Sequence, residues 1–140
     1  MGVELFGEAG ISADIEVIEL FLKTLDVAGV DAVHLDLGHV DIMRGLLVGS
    51  NLSTDLEAEL FELLQRKAST ELEVWINSNI SDSKLADWLK SLPTLAGGTE
   101  VLAEAQQSLA GAPKQVIDAL TQLEQIVDAL TMQTGQQVTI

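Results

Sequence analysis

The stretch AVHLDLGHVDIMRGLL, residues 32–47, changes its hydrophobic period in the middle. Residues 32–37 alternate apolar and polar side chains, as a strand with two unequal faces does. After Gly38 the apolar side chains recur at the spacing of a helix, at Ile42, Met43, Leu46 and Leu47. The stretch therefore predicts a strand, a turn at Gly38 and a helix that His39 opens.

Almost every other segment predicts a helix. The first helix is expected after a cap at Ser12 and before Gly29. Thr54 with Glu57, and Thr70 with Glu73, have the spacing of capping boxes, which indicates two more helix starts. Pro113 precedes a longer helix, whose apolar stripe comprises Val116, Leu120, Leu123, Val127 and Leu130.

Strand-like pieces stand at both ends of the chain, VELF at residues 3–6 and QVTI at 137–140. With one internal strand they are too few for a sheet of ordinary size. We therefore expect the 140 residues to be an internal part of a larger protein and one single unit. Its unpaired sheet edges and its apolar stripe predict some self-association of the isolated chain.

The composition excludes several classes of protein. Twenty-two acidic residues against seven basic ones give a net charge of −15, and the basic residues are scattered, so the chain should repel nucleic acid. The absence of cysteine excludes disulfides and thiolate chemistry. No apolar run approaches the roughly 20 residues of a membrane span, and the start does not resemble a signal peptide. A cytoplasmic protein without membrane contact is expected.

Both histidines fall in HLDLGH, residues 34–39, which raises the alternative of a metal site. His34 and Asp36 would share one face of the strand, and His39 could fold back beyond Gly38 to complete three ligands. Three ligands within six residues usually need a fourth group from elsewhere, and none is indicated. We therefore favour a half-buried strand, and expect no metal, no cofactor and no catalytic residue.

Several stretches in order along the chain resemble one family: GVELFG at 2–7, LDLGHV at 35–40, RGLL at 44–47, ELFELLQRKAS at 59–69 and TEVLAEA at 99–105. They are similar to the regulatory subunits of ATP phosphoribosyltransferase, which are paralogues of histidyl-tRNA synthetase in histidine biosynthesis. The combination of LDLGHV with ELFELLQRKA is the specific part. GVELFG alone is shared with true synthetases.

The resemblance implies an α+β fold, part of a class II synthetase-like antiparallel sheet with a mostly helical insertion. Residues 1–38 and 136–140 would belong to the sheet part and residues 39–135 to the helical part. It implies a non-catalytic protein that assembles with the short catalytic subunit and confers feedback inhibition by histidine. Glu4 matches the strand glutamate that holds the amino group of histidine in synthetases.

Two alternatives remain open at this point. A true histidyl-tRNA synthetase would be an enzyme that charges tRNA, although the acidity of the chain argues against contact with nucleic acid. A small metal-binding module would be centred on His34, Asp36 and His39. The first alternative predicts that the protein charges tRNA, and the second predicts that it binds a metal ion.

Overall fold

A computed structural model describes residues 3–8, 10–30, 33–134 and 138–140. Within these residues most of the chain is helical, and a 3₁₀ turn covers Leu92–Thr94. The helices are α1 Ile11–Val27, α2 Val40–Leu47, α3 Thr54–Gln65, α4 Ser69–Asn79, α5 Ser83–Ser91, α6 Val101–Ser108 and α7 Lys114–Thr134. The strands are β1 Leu35–Asp36 and β2 Val138–Thr139.

The two strands pair in parallel, with Leu35 opposite Val138 and Asp36 opposite Thr139. The expected antiparallel arrangement is therefore wrong for this pair. The reason is the connection: α2 to α7 lie between the strands, and such a long helical crossover returns the second strand in the direction of the first. Beyond the pair, Gly97 and Ile140 exchange backbone hydrogen bonds of 3.0 and 2.8 Å.

Residues 3–6, where a strand is expected, have no regular secondary structure, so this strand stays a prediction. A strand is stable only where a neighbour satisfies its backbone N–H and C=O groups. No described segment pairs with residues 3–6. Residues 3–6 therefore lack, within the described part of the chain, the hydrogen-bonded partner that a strand requires.

Helix α7 joins two apolar cores, and the five residues of its predicted stripe are all buried. The N-terminal half of α7 packs with α2, α3, α4 and α5 around Leu60, Ile76 and Leu89. The C-terminal half packs against α1 and the residues around β1, through Leu123, Val127 and Leu130. The prediction of the stripe is confirmed. Helix α7 contributes side chains to both apolar cores.

The close approach of α2 to α7 depends on a glycine. A Cβ atom added at Gly45 would lie 2.8 Å from Cγ2 and 3.2 Å from the backbone nitrogen of Val116. Both distances are shorter than the contact that carbon atoms normally keep. By contrast, Gly38 has open space around it and no left-handed φ, so the turn at Gly38 does not require glycine.

The predicted cap of α1 lies two residues too late, that of α3 lies one residue too late, and that of α4 is absent. Helix α1 follows Gly10 and not Ser12, and α3 is capped by Ser53, whose hydroxyl accepts from the Leu56 N–H at 3.3 Å. Helix α4 follows Ala68 without a side-chain cap. The capping residue is extended and precedes the first helical turn, so a neighbouring Thr with the right spacing cannot take its place.

Helix α3 ends in a Schellman motif that holds a lysine in an unfavourable conformation. The N–H of Lys67 donates to the Leu64 carbonyl at 3.0 Å, and the N–H of Ala68 donates to the Leu63 carbonyl at 3.1 Å. Lys67 has φ 50, in the left-handed region that glycine usually occupies in this motif.

We expect Lys67→Gly to stabilise the protein. Relief of the left-handed conformation is worth about 1–2 kcal/mol, and the greater freedom of glycine in the unfolded chain offsets about 0.4–1 kcal/mol of it. The net gain, about 0.5–1 kcal/mol, should raise Tm by about 2–4 °C. Calorimetric melting measures it, and Lys67→Ala, which keeps the strain, is the control. A lower Tm for Lys67→Gly than for Lys67→Ala would contradict the assignment.

Candidate functional site

Glu4 lines a cleft of about 720 Å³. This Glu4 cleft is lined by residues 3–6, Glu8, α1, residues 37–40 and α7. The Glu4 side of the cleft is exposed to solvent. The structure therefore places the residue indicated by the resemblance at a concave surface, which is where ligands bind in most proteins.

The Glu4 cleft combines carboxylates with an apolar floor. Glu8 and Asp14 line it together with Glu4, and the apolar part of its lining comes from the N-terminal segment itself, from α1, from residues 37–40 and from α7. The apolar lining includes Leu37, Leu123 and Ile126. Carboxylates form charge-assisted hydrogen bonds with an ammonium group. The arrangement suits a small ligand that carries an amino group and a partly apolar body.

His39 lines the same cleft, and both of its ring nitrogens are occupied. Its Nδ1 accepts a hydrogen bond from the Asp41 N–H at 3.2 Å, which caps α2 as the sequence predicted. Since Nδ1 is an acceptor, the proton of the neutral ring is on Nε2, which donates to Oε1 of Gln122 at 2.8 Å. The His39 ring thus connects the turn between β1 and α2 to α7.

The structure separates the three residues of the metal-site alternative. Nε2 of His34 lies 3.2 Å from Oδ1 of Asp36, and both side chains contact the hydroxyl of Thr139 on β2, His34 at 3.1 Å. His39 uses both nitrogens elsewhere, so it is not available as a third ligand. Among the described residues there is no cluster of three metal-binding side chains. The described residues therefore do not bring His34, Asp36 and His39 together as ligands of one ion.

The partner of His39 and two carboxylates of the cleft could not be found from the sequence. Gln122 is separated from His39 by 83 positions, and a single glutamine on a helix carries no sign of such a contact. Glu8 and Asp14 look like ordinary surface carboxylates in an acidic chain. The one available signal was His39 itself, because a polar residue directly before a helix is expected to act as its cap.

Comparisons with known proteins agree on one family. A family model described as histidyl-tRNA synthetase matches residues 1–140. The ATP phosphoribosyltransferase regulatory subunit of Saccharophagus degradans is 47% identical over 131 residues, which cover 94% of this chain and 33% of that protein. The regulatory subunit of Cellvibrio japonicus is 50% identical over 125 residues, 89% of this chain and 31% of that protein. The chain spans about a third of the length of these relatives.

A solved structure gives the fold independently. It is described as an ATP phosphoribosyltransferase regulatory subunit/histidyl-tRNA synthetase from Bacillus halodurans, and it matches 95% of this chain and 35% of that one with a TM-score of 0.76. At 24% identity this likeness shows the fold alone. None of the described helices combines the length and the hydropathy that a membrane span needs. The match of the family model over the whole sequence shows that this chain belongs to the histidyl-tRNA synthetase family.

Proposed function

We propose that the protein carrying this chain is the regulatory subunit of ATP phosphoribosyltransferase. It has no catalytic activity of its own, activates the short catalytic subunit, and makes that enzyme sensitive to histidine in histidine biosynthesis. The observation that carries the proposal is the identity of 43–50% to proteins of that name over about nine tenths of the chain. The proposal includes a cytoplasmic location and the division into a sheet part, residues 1–38 and 136–140, and a helical part, residues 39–135.

The finer features of the fold belong to the same proposal. In the complete subunit, residues 3–6 would lie in the antiparallel sheet of a class II synthetase-like domain and gain the partner that they lack here. The exposed apolar side chains of this segment, among them Phe6 at 87% exposure, are consistent with such a cover. Their exposure also supports the expected self-association of the isolated chain.

The true synthetase is the second candidate, and the charge of the chain disfavours it. A synthetase must hold the phosphate backbone of tRNA, which requires clustered Lys and Arg side chains. With a net charge of −15, and with Arg66 and Lys114 already paired to carboxylates of the same chain, the surface offers no such cluster in its described part. Charging of tRNA with histidine by the protein would show that this second candidate is correct.

We propose that histidine, the effector, binds in the Glu4 cleft with its amino group on the Glu4 carboxylate. Feedback inhibition then requires histidine to bind one state of the complex more tightly than another. Glu4→Gln keeps the shape of the side chain and removes the charge. A hydrogen bond to a charged group is worth about 1.5–3 kcal/mol, so the affinity for histidine should fall by about tenfold or more.

Titration calorimetry of the protein carrying this chain measures the effect. Glu8→Gln is the matched control, because Glu8 lines the same cleft and loses the same charge. We expect Glu8→Gln to weaken binding far less than Glu4→Gln. If wild type and Glu4→Gln bind histidine with equal affinity, the assignment of Glu4 is rejected. If Glu4→Gln and Glu8→Gln lose affinity equally, the loss reflects negative charge in general and not a specific contact of Glu4.

A further inference from the structure

We propose that an apolar groove between α2, α3 and the Leu92–Thr94 turn is the surface on which the catalytic subunit docks. The partner would insert one apolar side chain that stands beside a carboxylate. This inference rests on the proposed function, because it takes the identity of the partner from it. The α2–α3 groove has a volume of about 290 Å³, and its apolar lining comprises Ile42, Met43, Phe61, Leu64, Leu92 and Pro93.

The size and lining of the α2–α3 groove suit a single anchor side chain. Ligand pockets usually measure about 300–1,000 Å³, so this groove is at or below their lower limit. Phe61 stays 40% exposed at the groove although it is an aromatic residue on a helix with a buried face. Protein interfaces concentrate their binding energy in such places, where one aromatic or aliphatic anchor fills an apolar depression.

The rim of the groove carries an available positive charge. Lys67 lines the groove and is exposed, and it forms no ion pair within the part of the chain that the structure describes. Its neighbour Arg66, by contrast, contacts Glu62 at 3.4 Å and Glu71 at 2.9 Å. On a chain with a charge of −15, an unpaired lysine beside an apolar groove is complementary to a carboxylate on the partner.

The conformation of Lys67 supports a role outside the fold. Glycine would satisfy the Schellman motif without the cost of a left-handed φ, and the lysine side chain at this position makes no described ion pair that offsets the cost. Backbone strain that the fold does not require is concentrated at binding and catalytic sites. A contact of Lys67 with the partner would account for a lysine at this position.

A second apolar groove, between α3 and α4, is less suited to docking. It is lined by Leu63, Val74 and Trp75, and the Trp75 Nε1–H already donates to Oε2 of Glu59 at 3.0 Å. Its rim carboxylate Glu71 is paired with Arg66, so no free charge remains to orient a partner.

His39 lines both the α2–α3 groove and the Glu4 cleft. Only the α2–α3 groove therefore adjoins the proposed effector site.

The test measures the affinity of the catalytic subunit for the protein carrying this chain by titration calorimetry. Phe61→Ser should weaken binding by about tenfold or more, since it removes the exposed aromatic side chain that lines the groove. Lys67→Gly should weaken it by about twofold to fivefold at low salt and much less at high salt, because the charge lies on an exposed rim. Lys67→Gly should therefore bind the catalytic subunit more weakly although its Tm is higher. A loss of affinity in this variant cannot result from a loss of stability.

Two matched controls should bind like wild type. Asn51→Gly relieves a similar left-handed residue, φ 57, outside the groove, and Val74→Ser alters the α3–α4 groove. Wild-type affinity in both Phe61→Ser and Lys67→Gly would overturn the inference, and so would a loss confined to Val74→Ser. If the wild-type protein itself failed to bind the catalytic subunit, the proposed function would be rejected together with the inference.

Discussion

Leu60→Ala is expected to lower the free energy of unfolding by about 3 kcal/mol, within the range of about 2–5 kcal/mol for large-to-small substitutions in a core. Leu60 has no exposed surface and lies on α3 where this helix meets the core of α2, α4, α5 and α7. Removing three carbon atoms there loses their burial and leaves a cavity that the surrounding helices fill only in part.

Urea unfolding followed by circular dichroism measures this loss. Leu20→Ala on α1 is the matched control, because Leu20 is also a leucine in a helix but is 46% exposed. The control should change the free energy of unfolding by less than about 1 kcal/mol. Equal losses for the two substitutions would contradict the placement of α3 against the core.

Gly45→Val is expected to destabilise the protein by about 2–3 kcal/mol, as overpacking of a tight contact does. The added side chain would meet Val116, whose backbone nitrogen cannot move without displacing α7. Because α7 contributes to both apolar cores, a displacement of α7 disturbs the packing of both cores.

Gly38→Val is the control for Gly45→Val, since a Cβ atom at Gly38 meets no atom within 4 Å. Its effect should stay below about 1 kcal/mol. Thermal and urea unfolding of both variants provide the comparison. A Gly45→Val protein as stable as Gly38→Val would show that α2 and α7 do not approach each other closely.

The elements that the sequence predicted well are those whose signal is local. The change of period at Gly38 located β1 and α2, and the stripe from Val116 to Leu130 identified the buried face of α7, because periodicity follows directly from the geometry of strand and helix. For residues 3–6, local periodicity could not decide whether a strand forms. Whether an extended segment becomes a strand depends on a distant partner.

The contacts that build the cleft are non-local, and the sequence did not indicate them. The role of Gly45 depends on Val116, and the orientation of the His39 ring depends on Gln122, both of them on α7. Neither pairing leaves a trace in the local pattern of residues. Glu4 was indicated by the resemblance to a family and stays a prediction, and the geometry adds that it lines a cleft together with Glu8 and Asp14.

Whether this protein regulates ATP phosphoribosyltransferase is decided by mixing the two proteins. The protein carrying this chain is added to the short catalytic subunit, and the joining of ATP to phosphoribosyl pyrophosphate is followed with and without histidine. We expect the activity to rise on mixing and histidine then to suppress it. If the activity stays at the level of the catalytic subunit alone, the proposed regulatory function is wrong.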